Sequence, residues 1–401
     1  MLKRTALVVS ALLSLTTTAA TAADETPGVT ATEIKIGGVF PFSGPASAIG
    51  LVGKGLLAYV QSINERGGIN GRKINYIAMD DAYSPPKAVE HVRKLVESDE
   101  IAFMFSQLGT AGVSATAKYL VQRKVPNVAI VTGSSKFTNL AEFPQTTTGL
   151  VSYVTEGTIY AKFFKNKLPN AKYAILYQND DLGKDHVKAF KAFFGADFDQ
   201  KVVTESYDTT FPTVDSQVLT LKASGAEGLL IAGTPKFAAQ AIRKVAQIGW
   251  KATIIINYPS SSVSATINPA GPENAVGVLA GTINKDPSDT SWANDPGMKE
   301  YKAFFDKYLH GSDIAETNYL YGYQQGILLE KLLTQCGSDL SRANIIKQSL
   351  NLQNVVLPTA APGLSINTAP QNNMMWTQLQ MQRWTGTTWE RVGEPVDGKS
   401  D

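Results

Sequence analysis

Few residues in this 401-residue chain could carry acid, base, metal or nucleophile chemistry. Histidine occurs only at His91, His186 and His310, too far apart for the ligand spacing of a zinc site. Cys336 is the single cysteine, so no intrachain disulfide can form. Its expected role is a small buried hydrophobe near a helix end. No Ser/His/Asp or Cys/His arrangement stands out. Asp180 and Asp181 are adjacent carboxylates, a pairing that could serve acid/base or metal chemistry. Standing just before an amphipathic stretch, they read as a helix N-cap and its neighbour. Trp250 and Trp292 read as packing residues rather than base-stacking platforms.

What remains is recognition by backbone and hydroxyl groups. Gly, Ser, Thr and Asn gather in short segments at 41–50, 106–110, 132–135, 179–183, 233–237 and 257–262. Such segments serve as turns and caps, and they also expose N–H donors at helix starts. Those donors and the positive end of the helix dipole suit a carboxylate.

The elements between these segments would place them together. Short apolar runs at 34–40, 73–81, 101–105 and 127–131 alternate with amphipathic stretches at 50–65, 85–97 and 111–122. A second series runs from about 151 to 257, with runs at 172–178, 202–207, 228–232 and 252–257. Strands alternating with helices of this length predict parallel sheets flanked by helices. Two such series predict an α/β protein of two similar lobes. Helices are expected at 297–310, 317–335 and 341–350, and a hairpin at 379–392. In open parallel sheets, ligands sit beyond the carboxyl ends of the strands. The named segments fall there.

The start of the chain sets a compartment. Lys3 and Arg4 precede an apolar stretch at 6–15 and a small-residue run at 16–23. That pattern predicts a secretory signal peptide over residues 1–23. The stretch is too short to cross a bilayer, and a chain that is not membrane-embedded is expected outside the cytoplasm. Lys and Arg total 37 against 35 Asp and Glu. Removing Lys3 and Arg4 balances the charges, which disfavours a nucleic-acid partner.

The chain resembles the leucine/isoleucine/valine-binding protein family, the type I periplasmic solute-binding proteins of ABC importers. Ile34-Lys35-Ile36-Gly37-Gly38-Val39-Phe40-Pro41-Phe42-Ser43-Gly44-Pro45 is similar to the family's first strand and S-G-P loop. Ile63-Asn64-Glu65-Arg66-Gly67-Gly68-Ile69-Asn70-Gly71 resembles its I-N-x-x-G-G-I-x-G segment. Asp80-Asp81 followed by Pro86-Lys87-Ala88-Val89 resembles its D-D-x-x-x-P-x-x-A-V. The similarity spans about 34–392.

The resemblance implies two lobes closing through a multi-strand hinge on a small carboxylate ligand, and docking of the closed form on an importer permease. It implies one lobe from 33–150 with about 281–360, and another from 151–280 with about 361–392. The tail at 393–401 is expected to fray. A periplasmic monomer without cofactor, metal or enzymatic activity is expected. The implied ligand contacts are Gly109, Thr110, Gly133 and Ser135 from the first lobe. Leu182, Thr234, Asn257 and Tyr258 close from the second.

Two departures bear on the ligand. Branched-chain amino-acid binders carry a glutamate after the strand that ends here at Asn257, and it meets the ligand's ammonium. Residues 254–262 contain no acid. Either Asp180 or Asp181 takes that role, or the ligand has no ammonium. The positions of a first-lobe disulfide in some members hold Tyr83 and Leu108 here. The expected ligand is a branched-chain or other hydrophobic amino acid, with a non-amino carboxylic acid, for example an aromatic acid, as the alternative. A periplasmic sensor feeding a regulator is the alternative role.

Overall fold

A computed structural model describes residues 26–398. The export signal expected over 1–23 lies outside the described residues. The first sheet holds β1 (Glu33–Phe40), β2 (Lys73–Asp80), β3 (Phe103–Phe105), β4 (Asn127–Ile130) and β5 (Thr146–Thr148). Its order is β2-β1-β3-β4-β5, all parallel. Three helices connect these strands: α1 (Ser47–Glu65), α2 (Pro85–Glu97) and α3 (Thr110–Gln122).

After α4 (Tyr153–Lys167) the chain builds a second sheet. β6 (Tyr173–Gln178), α5 (Asp181–Phe194), the short α6 (Phe198–Lys201), β7 (Val202–Tyr207), α7 (Asp215–Ala223), β8 (Gly228–Ala232), α8 (Pro235–Gln247) and β9 (Thr253–Ile256) alternate in sequence. A short α9 (Asn268–Ala270) precedes β10 (Leu279–Thr282). Then α10 (Pro296–Tyr308), α11 (Thr317–Cys336) and α12 (Arg342–Ser349) follow, before β11 (Gln378–Trp384) and β12 (Trp389–Asp397). The second sheet runs β12-β11-β10-β9-β8-β6-β7, with the last hairpin antiparallel.

The local causes are ordinary ones. Proline opens α2 and α8, where its missing N–H is an orphan anyway. The parallel strands are near-continuous apolar runs because helices cover both faces. β8 and most of β6 are buried throughout.

α11 returns to the first lobe and crosses α1 closely. A side chain at Gly322 would meet the Val52 carbonyl oxygen at 2.2 Å, and one at Gly55 would meet Gly322. Glycine at both places lets the backbones touch. The polypeptide passes between the lobes near 149–152, 283–285 and 376–377. At these places it is tied by bridges Asn284 to Ala360 and Thr148 to Met374.

Two expectations about the last quarter need correction. Residues 361–376 were expected with the second lobe, but Asn373 donates to the carbonyls of Phe137 and Thr146. This stretch therefore seals the edge beside β5. The tail expected to fray from Gly393 instead continues β12 to Asp397, paired with Gln378. At the bulge there, the Gln380 amide donates to the carbonyls of Val392 and Gly393.

Cys336 is buried at the end of α11, and burial pushes its thiol up to about 12. Trp250 packs inside and donates to the Ala226 carbonyl. Trp292 lies under Lys285 and Arg391. Among the described residues, no helix is long and apolar enough to cross a membrane, and no cluster of His, Cys, Asp or Glu suits a metal ion.

Candidate ligand-binding site

The lobes meet over a cavity. Its wall is largely apolar: Ile49, Val52, Leu108, Val131, Leu150 and Leu182. Tyr83, Tyr153, Tyr258 and Tyr321 add aromatic surface. Thr110, Thr234, Ser261, Ser262, Asn284, Thr317 and Asn318 supply polar atoms.

The sheets bring helix starts to this point from several directions. Ile49 belongs to the first turn of α1, Thr110 begins α3 and Tyr153 begins α4. Leu182 is in the first turn of α5, Thr234 precedes α8, and Thr317 begins α11. No side chain caps α3, α4 or α8. The start of α3 keeps its N–H groups, whereas α8 opens on Pro235 and its Thr234 N–H goes to the Tyr207 hydroxyl, so α8 adds its dipole; together they make the local field positive.

Gly109 precedes α3 with φ +107°, a region L side chains avoid, and a Cβ there would press on the Tyr83 ring. Thr110 Oγ1 meets Thr132 Oγ1 at 2.9 Å and the Tyr153 hydroxyl at 3.3 Å, so one hydroxyl cluster spans both lobes. Thr234 Oγ1 is buried without a partner among the described residues.

Of the residues expected to touch the ligand, Gly109, Thr110, Leu182, Thr234 and Tyr258 line the cavity. Gly133, Ser135, Asp181 and Asn257 do not. The Gly133 carbonyl accepts from the Tyr153 N–H, below the wall. Asn257 Oδ1 accepts from the Gly233 N–H and shapes the turn into α8. Ser135 is engaged across the lobes: its N–H and hydroxyl donate to Asp185 at 2.6 and 2.9 Å. Asp181 pairs with Lys136 at 2.7 Å and accepts from Ser114 at 3.0 Å. These polar residues hold the lobes to each other.

Asp180 is also spent. It accepts from the Leu182 N–H at 3.0 Å and from the Gln178 amide at 2.7 Å. Burial pushes its carboxyl up to about 6. Neither aspartate lines the cavity, and no acidic side chain among the described residues does.

Sequence reasoning missed Tyr153, Tyr321 and Asn284. It met Tyr83 and Leu108 only as the places of a disulfide, and both line the cavity. An aromatic residue at the start of a helix was the available signal for Tyr153. Asn284 lies in a crossing between lobes and carries no motif.

Behind the wall, a buried network fixes the second lobe's contribution. Glu156 accepts from the Tyr258 N–H at 2.6 Å and the Tyr160 hydroxyl at 2.7 Å. His186 Nε2 stands 3.5 Å from Glu156, at the edge of hydrogen-bonding range, while Nδ1 bonds the Leu182 carbonyl at 2.8 Å. Burial pulls the imidazole pKa down, but Glu156 outweighs it, and the pKa ends above its usual value. The network ties Tyr258 and Leu182 to the Glu156–His186 pair.

Residues 33–388 match the periplasmic binding protein family. The chain belongs to that family. It is 22% identical over 365 residues to a Leu/Ile/Val-binding protein homolog 7 from Brucella abortus, covering 88% of this chain and 89% of the relative. A branched-chain amino acid ABC transporter structure from Thermus thermophilus, with bound valine, superposes with a TM-score of 0.81 at 14% identity. It covers 92% of this chain and 97% of that one. A solute-binding protein of an ABC transporter from R. palustris, in complex with 4-hydroxybenzoate, has a TM-score of 0.75 at 17% identity and covers 91% and 97%. This periplasmic binding protein therefore shares the α/β two-lobe fold of these neighbours, and its family is one of solute-binding proteins.

Proposed function

We propose that this periplasmic binding protein captures an apolar monocarboxylate without an ammonium group and delivers it to an ABC importer permease. One observation carries the reading: helix starts converge on an apolar cavity whose lining contains no acid. A carboxylate gains from the N–H groups of α3 and from the dipoles of α3 and α8. An ammonium buried beside them would lack a counter-charge, at a cost of several kcal/mol. The role is capture, with the ligand released unchanged. Asp180 and Asp181 do not supply the missing charge, because their oxygens are occupied elsewhere.

A branched-chain amino acid is the second reading. It is favoured by the Leu/Ile/Val-binding name of the Brucella relative and the valine in the Thermus structure.

Calorimetric titration with matched pairs separates the two. Leucine and 4-methylpentanoate differ only in the amino group, as do phenylalanine and 3-phenylpropanoate. The deaminated member of at least one pair is expected to bind at least about tenfold more tightly, since about 1.4 kcal/mol is a factor of ten. Tighter binding of leucine or phenylalanine would sink the monocarboxylate reading.

A further inference from the structure

We propose that the cleft reads a hydroxyl on its ligand, separate from the carboxylate, through Asn284 and Tyr258. The inference rests on the monocarboxylate reading and names a narrower ligand class, hydroxylated carboxylic acids.

Both residues line the cavity and are only 7% and 9% exposed. Asn284 Nδ2 donates to the Tyr258 hydroxyl oxygen at 3.0 Å. That bond leaves the Tyr258 O–H without an acceptor and Asn284 Oδ1 without a donor among the described residues. Turning the amide over changes the direction of the bond but not the count. The phenol would then donate to Oδ1, freeing the amide N–H groups and a phenol lone pair. In either orientation the pair keeps at least one unspent donor and at least one unspent acceptor. Buried polar groups in folded proteins are nearly always satisfied, so an unsatisfied adjacent pair calls for a partner.

A hydroxyl is the simplest complement, because it donates and accepts through one atom. A carboxylate only accepts, and it would face the pair's own acceptor oxygen. Its place is at the uncapped helix starts. A methyl or ring C–H offers neither bond. Water can hold the position in an empty cleft and yield it to a ligand hydroxyl.

The pair is also held still. The Asn284 N–H donates to Thr282 Oγ1 at 3.0 Å, and its backbone bridges to Ala360. The Tyr258 N–H is fixed by Glu156, and its ring meets Tyr321 edge-on. Polar groups fixed in advance reject analogues that leave them unpaired.

The test titrates the full mature chain with benzoate and 4-hydroxybenzoate, and with 3-phenylpropanoate and 3-(4-hydroxyphenyl)propanoate. Wild type is compared with Tyr258→Phe and Asn284→Leu, and thermal melts check that the variants fold. In wild type, the hydroxylated member of at least one pair is expected to bind about tenfold or more tightly than its parent. That advantage, read as the ratio of the two affinities within one protein, should shrink to about threefold or less in each variant. Equal binding of parent and hydroxylated acids to wild type overturns the hydroxyl subsite alone. So does an advantage that survives both variants. If no acid binds but leucine or valine does, the monocarboxylate reading has failed and this proposal falls with it. The wild-type comparison decides the matter even if a variant does not fold.

Discussion

Asp180 shows how one side chain can serve a fold and strain it. Its carboxylate closes the start of α5 through the Leu182 N–H, and burial pushes its pKa up to about 6 from an ordinary 3.8. The folded state therefore holds this proton more tightly than the unfolded chain does. The stability contributed is present below about pH 4 and lost as pH rises through about 6, on the order of 3 kcal/mol in all. Asn is an equally good N-cap without the charge. Asp180→Asn should accordingly melt at a higher temperature than wild type at pH 7.5, with the gap closing towards pH 4. Parallel melting curves across that range would refute the assignment. His186 has the opposite sense. Its raised pKa gives stability that is full below about pH 6.5 and lost as pH climbs through the folded value. Glu156→Gln leaves an oxygen for the Tyr258 N–H but removes the partner of the imidazolium. Breaking such a buried pair costs about 3–5 kcal/mol. Urea unfolding should show a larger loss at pH 6 than at pH 8, and an equal loss at both would show that the charge is not what matters.

At the scale of elements, the contact of α1 with α11 links the core to the site. Gly322→Ala would drive a methyl into the Val52 carbonyl. A backbone atom cannot rotate away, so α11 must shift, at about 1–3 kcal/mol. Thr317 and Asn318 head that helix and line the cavity. Chemical denaturation should report the lost stability, and titration should show weaker ligand binding. Unchanged affinity in the destabilised protein would mean that the start of α11 is fixed independently. Much of this architecture was legible in the sequence because buried parallel strands and amphipathic helices write different periods. β5 and β10 were not legible. Thr146–Thr148 and Leu279–Thr282 are short and carry no long apolar run, so only their neighbours make them strands. The extent of β12 was hidden for the same reason: Gly393 reads as a break, and the bulge opposite Gln380 accommodates it. Strand and helix alternation located the loops of the site. It could not divide them between ligand and opposite lobe, since Ser135 and Thr110 look alike until the lobes face each other.

The whole molecule is held closed by bonds that belong to neither lobe alone. On one side Asp185 receives the Ser135 N–H and hydroxyl, and Asp181 meets Ser114 and Lys136. On the other side Glu316 accepts from Ser262 and Ser264 at 3.0 and 2.8 Å. Tyr83 reaches from the first lobe to the Gln178 amide at 3.1 Å. The Lys136 pair is more than a third exposed, so screening leaves it little weight. Asp185 is buried, at 8% exposure, and its two bonds carry more. Hydrogen bonds to a charged group contribute about 1.5–3 kcal/mol each. Removing the charge with Asp185→Asn weakens closure by a part of that, and about 1.4 kcal/mol is a factor of ten. Because closure follows encounter, the loss should fall on release: dissociation about tenfold faster, with association little changed. Small-angle scattering should show the ligand-free variant more extended than wild type. The loss should also be the same for every ligand, because Asp185 touches none of the cavity lining's unpartnered groups. Asn284→Leu should instead penalise hydroxylated acids more than their parent acids. A ligand-dependent penalty from Asp185→Asn, or slower association with unchanged release, would move Asp185 from the clasp into the recognition of ligand.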